Sequence, residues 1–459
     1  MNINIGYVLI AIGICLSSCK DSFLEVKPST DIVAPKTLDD FQQMLDYYRN
    51  NFTSGLPFLS SDEYEIPNEK DWLSLAVVER NGYVWSADLY EGQESVADWN
   101  YSYEAVFYAN SVISGMDEFR QSLADDPGFD HILGQAYFIR AFAFFDLAKN
   151  FAPAYDKASA ATDLGIPLKL KPSVDELVPR SSVEQTYSQI LADLQKATGL
   201  LDKNLTPKRN RANLPAAYAL AARVYLSMRN YQAAEKFADS CLNIYDKLID
   251  YNTVSTTVVV PFLATNDENL FSAMVGNNYQ SILYATFLNV TVAKDLLALY
   301  DGQDLRKEIF FDSNTISGLT KVKRGYSGAG MLAYAGLATD EIYLIKAECA
   351  VRRNDLNTAA KFLNTLLVKR YKSGTYINRY FLNREAGLRE ILRERRKELV
   401  WRAGLRWDDL RRLNREGAGI QLERIVAGKS YKLLPNSSKY VFPIPANELN
   451  GSHISQNQR

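Results

Sequence analysis

A helical pattern that recurs at long range constrains this sequence more than any other feature. Tyr218, Ala222 and Tyr225 fall at spacings of four and three, and Tyr343, Ala347 and Ala350 repeat those spacings 125 residues later. The register persists: Ala234, Lys236 and Phe237 correspond, at the same offset, to Ala359, Lys361 and Phe362. An earlier segment places Tyr137, Ala141 and Phe144 in the same positions. Such spacings gather the residues onto one helix face. A large side chain followed four residues later by a small one lets a second helix approach closely, and the flanking rings fill the gap beside it. Polar breaks at Met228-Arg229-Asn230-Tyr231 and Arg353-Asn354-Asp355-Leu356 divide each unit into two helices.

The predicted fold is mainly α: a tetratricopeptide-like helical repeat frame, with a long irregular loop-rich region carrying short β-strands packed on it. Residues 51–95 contain the turn formers Ser54-Gly55, Asn81-Gly82 and Glu91-Gly92 together with two isolated tryptophans. Residues 151–180 read as an extended crossing, and residues 252–335 mix a β-like run, Val258-Val259-Val260, with Asn, Gly and Tyr. These stretches are too long for ordinary connectors. Loops of this kind, held on a rigid frame, are where binding residues concentrate. The candidates for ligand contact are Trp72, Tyr83 and Trp85 from the first region, and Asn277, Asn278, Tyr279 and Tyr284 from the second. Trp99, Trp401 and Trp407 lie in helical motifs and are assigned to packing.

The N-terminus carries an apolar stretch from about Tyr7 to Leu16, which suits a signal peptide and falls short of the ~20 residues that cross a bilayer. Leu16-Ser17-Ser18-Cys19 follows: a branched apolar residue, two small ones and a thiol. This is the pattern of a bacterial lipobox, although no Lys or Arg precedes the apolar stretch. Residues 1–18 are expected to be removed and Cys19 to be lipidated, with several acyl chains giving a stable anchor. The remaining cysteines, Cys241 and Cys349, sit in helical sequence and read as buried thiols rather than a disulfide.

Composition removes whole classes of chemistry. With 52 Lys plus Arg against 54 Asp plus Glu and no basic run, nucleic-acid binding is not expected. Two histidines, His131 and His453, leave little material for nucleophilic triads or His-rich metal sites. No phosphate-binding glycine loop, G-x-S-x-G or zinc-ligand spacing occurs. No cofactor, metal site or catalytic residue is assigned, and the protein is expected not to be an enzyme. The 28 tyrosines fit a binding surface, since each ring packs while its hydroxyl faces water.

Several motifs together resemble the SusD/RagB family of surface lipoproteins. Phe23-Leu24-Glu25-Val26-Lys27-Pro28 is similar to the family's opening, and Trp99 to Asn110 and Ala136 to Lys149 are similar to its helical motifs. So are Ser182 to Leu194, Glu268-Asn269-Leu270-Phe271, and Tyr300 through Asp304 and Arg306. The most specific resemblance lies in Arg393 to Leu399, Leu405 to Arg412, Phe442-Pro443-Ile444-Pro445, Glu448 and Gln456-Asn457. Arg402-Ala403-Gly404 departs from the usual acidic-Gly pair, and the closing Pro-Gly-Tyr is missing. Read on their own, Glu394, Arg395, Glu398, Arg406, Asp409 and Arg411 interleave charge at helical spacings that favour local pairing, with Trp401 and Trp407 covering the arginine stems.

The resemblance implies one lipoprotein unit over residues 19–459, with an N-terminal SusD-like part over about 20–230 and a C-terminal part over about 265–459. It implies an outer-membrane protein, lipid-anchored and facing the exterior. Its partner would be a SusC-like TonB-dependent transporter, and its ligand an oligosaccharide held on the exposed loops. A peptide receptor of the same architecture and a protein-only scaffold of the transporter complex remain alternatives.

Overall fold

The computed structural model describes residues 35–276, 278–283, 290–313, 318–452 and 454–459. The leader, Cys19, the Phe23 to Pro28 motif, Asn277 and Tyr284 lie outside the described residues. The longest helices build the frame: α1 (Ala97–Glu118), α2 (Phe129–Phe151), α3 (Val183–Leu200), α4 (Leu214–Ser227), α5 (Tyr231–Leu242), α6 (Thr339–Arg352), α7 (Leu356–Leu367), α8 (Arg384–Glu398) and α9 (Leu405–Arg415). Among the described residues, no helix is long and apolar enough to cross a membrane.

The repeat is borne out to the residue. Each end of α4 and α5 reappears 125 positions later as an end of α6 and α7. Arg229 and Asn354, at equivalent positions in the two turns, both adopt left-handed backbone (φ 61 and 67). The following residues, Asn230 and Asp355, cap the second helices by accepting from the Ala233 and Thr358 amides. Ala222 and Ala347 are wholly buried where the helices cross. Tyr225 stacks on Phe237 at 5.4 Å, and Tyr343 meets Phe362 at 5.9 Å. The first unit differs: α2 packs on α3, but the chain between them holds an antiparallel pair, Leu164–Pro167 with Arg180–Ser182. Cys241 and Cys349 are buried and unbridged, as read from the sequence.

Helices α5 and α6 are packed neighbours although residues 243–338 separate them in sequence. The Thr339 hydroxyl donates to the Lys247 carbonyl at 2.6 Å, and the Tyr343 hydroxyl to the Asp246 carbonyl at 3.0 Å. The second loop region therefore leaves and rejoins the frame at one place. Short ladders stitch the two loop regions together: Phe52–Thr53 runs parallel to Met274–Val275, and Tyr64–Glu65 antiparallel to Thr291–Val292. Two local expectations fail here. Val258, Val259 and Val260 are half exposed and form no strand, having no partner ladder beside them. Asn81-Gly82 lies inside the Val77–Tyr83 helix instead of a turn; a Cβ on Gly82 would stand 3.1 Å from Leu59, so the glycine admits a close helix contact.

Buried ions fasten the loops to the frame. Arg306, wholly buried, donates to Asp304 at 2.7 and 2.8 Å, Glu394 at 2.6 Å and Glu398 at 2.9 Å. Arg370, equally buried, joins Glu398 and Glu268, each at 2.7 Å, and Arg402 meets Asp340 at 2.6 Å. The Tyr326 hydroxyl donates to Glu268. The expected local pairing of the C-terminal motif forms in part, with Lys397 on Glu394 and Arg412 on Asp409, each at 2.9 Å; beyond it, Glu394 and Glu398 pair with Arg306, and Arg406 with Asp62 at 2.7 Å, across long sequence separations. Only Arg395 with Asp409 joins the two motif helices directly, at 2.9 Å. The tryptophans do not cover arginine stems. Trp401, at φ 59 beyond the end of α8, packs on Phe58 at 4.5 Å, and Trp407 on Tyr440 at 4.5 Å. Beside this seam, buried Glu63 accepts from the Trp401 amide at 2.8 Å and the Ser61 hydroxyl at 3.2 Å.

Candidate ligand-binding surface

The residues singled out in the first loop region turn inward. Trp85 is 0% exposed and donates its indole N–H to the Ser60 carbonyl at 2.9 Å. Tyr83 is buried as well, accepting from the Ile66 amide at 3.1 Å. The Arg424 guanidinium lies over both rings, 3.9 Å from Tyr83 and 4.7 Å from Trp85. Neither ring offers a face to solvent, because each packs a loop onto the C-terminal Leu422–Val426 strand. Trp72 is half-buried against the core, with its N–H on the Arg80 carbonyl at 3.3 Å.

In the second region, Asn278 and Tyr279 converge on Asp98. Asn278 Nδ2 donates to Asp98 Oδ2 at 2.9 Å, and the Tyr279 hydroxyl donates to the same oxygen at 2.6 Å. The other oxygen, Oδ1, accepts from the Ser54 hydroxyl at 2.7 Å and the Gly55 amide at 2.8 Å. One buried carboxylate in the first turn of α1 therefore ties the two loop regions together. Burial pushes the Asp98 pKa up, and the hydrogen bonds from Tyr279, Ser54 and the Gly55 and Leu56 amides draw it back down. Sequence reasoning passed over Asp98, whose only signal is an acid placed where a helix N-terminus favours one.

What Asp98 positions is an outward-facing aromatic ridge. Tyr101 and Tyr108 stand seven residues apart on α1, two turns along one face. Tyr47 packs on Tyr108 at 4.9 Å and on Tyr48 at 5.0 Å; Phe52 packs on Tyr48 at 5.6 Å and on Tyr101 at 5.3 Å. Tyr48 is 59% exposed. Arg49 sits over Tyr48 and Tyr101, at 5.6 and 5.5 Å, and pairs with Glu104 at 3.5 Å. The second loop crosses the ridge at Gly276, where a Cβ would stand 2.5 Å from the Tyr101 ring; only glycine permits that crossing. Burial raises the Tyr101 pKa, so its hydroxyl remains a proton donor at neutral pH. Around the flank of α1, Tyr103, Phe107, Asn110 and Lys169 line a groove of about 310 Å³. Half-buried rings with interleaved Arg, Glu and hydroxyl groups can hold a ligand that has both C–H faces and polar edges.

The carboxylates do not form a comparable chemical site. Glu268, Asp340 and Glu398 bring oxygens within 4.8 Å of one another, a spacing that could hold a cation. Arg370 and Arg402 already supply positive charge there.

Sequence and fold comparisons agree on what this chain resembles. A family described as "Starch-binding associating with outer membrane" matches residues 22–226. A SusD-like protein of Formosa agariphila is 28% identical over 250 residues, which is 51% of this chain and 44% of that one. This chain thus spans under half the length of that curated relative. A SusD superfamily protein of Bacteroides thetaiotaomicron superposes with a TM-score of 0.74 over 92% of this chain and 100% of its own, at 23% identity. Residues 22–226 are thus SusD-like in sequence, and the chain shares the fold of SusD superfamily proteins. A SusD-like carbohydrate binding protein of Bacteroides vulgatus shares the fold at 19% identity, with a TM-score of 0.66 over 90% of this chain and 96% of its own. The helical frame is thus a SusD-like one, and the aromatic ridge stands on its loop-bearing side.

Proposed function

We propose that this SusD-like protein is a non-catalytic, lipid-anchored receptor on the outer face of the outer membrane. It captures an oligosaccharide and passes it to a SusC-like TonB-dependent transporter. The observation that carries this is the ridge formed by Tyr47, Tyr48, Phe52, Tyr101 and Tyr108 with Arg49 between the rings. Sugar rings present C–H faces that stack on such a platform, and their hydroxyls meet Arg49, Glu104 and the tyrosine hydroxyls. Asn278 and Tyr279 serve as supports through Asp98; Trp72 remains a proposed contact, as do Asn277 and Tyr284, which lie outside the described residues.

The test is calorimetry on the mature chain against a panel of neutral oligosaccharides and, separately, a peptide pool. Saturable binding of one glycan class is expected, weakened about tenfold or more by Tyr48→Ala, a loss on the order of 1.4 kcal/mol. Binding confined to peptides would overturn the carbohydrate assignment, and binding unchanged by Tyr48→Ala would overturn the site.

A further inference from the structure

A second cleft, of about 510 Å³, opens between the Leu164–Ser182 hairpin and the C-terminal segment. Its wall carries Arg180, Arg411 and Arg415 against a single carboxylate, Asp163. That balance is unusual in this protein. On the same helix, Arg406 pairs with Asp62, and Arg412 with Glu348 and Asp409. Arg411 and Arg415 form no ion pair among the described residues, and neither does Arg180.

Arg411 is 6% exposed, yet only backbone carbonyls receive its protons: Nη1 donates to Lys149 and Nη2 to Ala152 at 2.5 Å. Its Nε has no partner. The neighbouring acid on α9, Asp408, makes its ion pair with Lys149 instead, at 3.8 Å. Arg180 likewise spends its guanidinium on carbonyls: Gly165 at 2.7 Å, Leu164 at 2.9 Å, Ser455 at 3.0 Å and Phe151 at 3.2 Å. Asp163 is already engaged by the Ser159 hydroxyl at 2.6 Å. A buried cation with no hydrogen-bonded counter-charge is costly unless an anion completes it. Arg415 is exposed at the mouth, and Ser437 and Ser438 stand beside it in the wall.

We propose that this cleft binds an oxyanion, with Arg411 and Arg415 as its cationic wall and the hydroxyls of Ser437 and Ser438 as further donors. Carboxylate, sulfate and phosphate share the required geometry: several acceptor oxygens facing planar guanidinium forks. The volume exceeds what a bare ion fills, so the anion is expected to ride on a sugar-sized body. This site is separate from the aromatic ridge and does not depend on it.

Titration calorimetry on the mature chain tests the proposal with four probes: inorganic sulfate, inorganic phosphate, glucuronate and, as a neutral counterpart, glucose. Chloride is used to match ionic strength. Glucuronate is expected to bind saturably and glucose not to bind at this cleft, with Arg415→Gln weakening glucuronate at least fivefold. Arg415 is exposed, so the variant keeps the fold; Arg411→Lys, which keeps the charge and loses the planar fork, should weaken binding as well. Saturable binding of sulfate or phosphate without glucuronate would support the oxyanion cleft and assign it to a free ion. No saturable binding of any anion, or binding equal in wild type, Arg415→Gln and Arg411→Lys, would overturn it.

Discussion

The interior of each helical hairpin and the loop seam are both buried, yet they are held by opposite means. Within α4–α5 and within α6–α7, cohesion comes from apolar rings meeting across small residues, with Ala222 and Ala347 fully enclosed. Between the loops and the frame it comes from ions: Arg306 and Arg370 bound to Asp304, Glu268, Glu394 and Glu398 with no water access. Packing of the first kind tolerates exchange among residues of similar volume. A buried ion set is less forgiving, since removing one member strands charge that its partners had balanced. The hairpin interiors are therefore generic and the seam specific.

The largest expected effect tests that contrast directly. Arg306→Met leaves Asp304, Glu394 and Glu398 short of a cation, and should cost about 3–5 kcal/mol in a urea unfolding midpoint. Protease sensitivity should appear first in residues 252–335. A loss below 1 kcal/mol would mean that the seam is held by packing after all. Ala347→Leu forces a larger side chain between two helices and should cost about 1–3 kcal/mol. Here sensitivity should spread through the hairpins and not concentrate in the loops.

A third effect comes from acidity. Burial, the dominant cause, pushes the Glu63 pKa from an ordinary 4.5 up to about 7. The folded state thus holds this proton more tightly than the unfolded chain does. Glu63 costs nothing below about pH 4.5, and its penalty grows as pH rises toward 7. Glu63→Gln should match wild type near pH 4 and exceed it above pH 7, by on the order of 2 kcal/mol. The seam residue Asp304 behaves oppositely: Arg306 pairing holds its pKa to about 2, so its contribution is present above about pH 4 and fades on acidification. Parallel stability curves for Glu63→Gln and wild type would refute the assignment. The smallest effect belongs to the ridge: Tyr48→Ala should shift stability by less than about 0.5 kcal/mol while weakening ligand binding.

How much of this was legible in sequence depends on the range of each interaction. Helix pairs announce themselves through spacings of three and four, and the boundaries of the two later hairpins keep the 125-residue register read from the side chains. The seam left no such trace. Arg306 and Glu398 are separated by 92 positions, Arg406 and Asp62 by 344, and no periodicity links them. Local spacing pointed to pairs along α8 and α9, such as Lys397 with Glu394 and Arg412 with Asp409, which form but do not fasten the loops. The binding surface was half visible. Tyrosine-rich composition suggested a ring platform, yet the isolated tryptophans pointed to a loop that proves to be packed. Tyr101 and Tyr108 carried the outward signal in their seven-residue spacing, inside a segment read as a packing motif.

The hydrogen bond from Thr339 to Lys247 closes the second loop region into a ring whose two ends coincide. Chain inserted or deleted beyond such a junction leaves the flanking helices where they are. Doubling a closed loop costs only about 0.6 kcal/mol in closure entropy. Residues 248–338 can thus be treated as an exchangeable cartridge: a descendant or a designer could change the loop that crosses the aromatic ridge while leaving its rings in place, provided the replacement brings its own counterparts to Glu268 and Arg306.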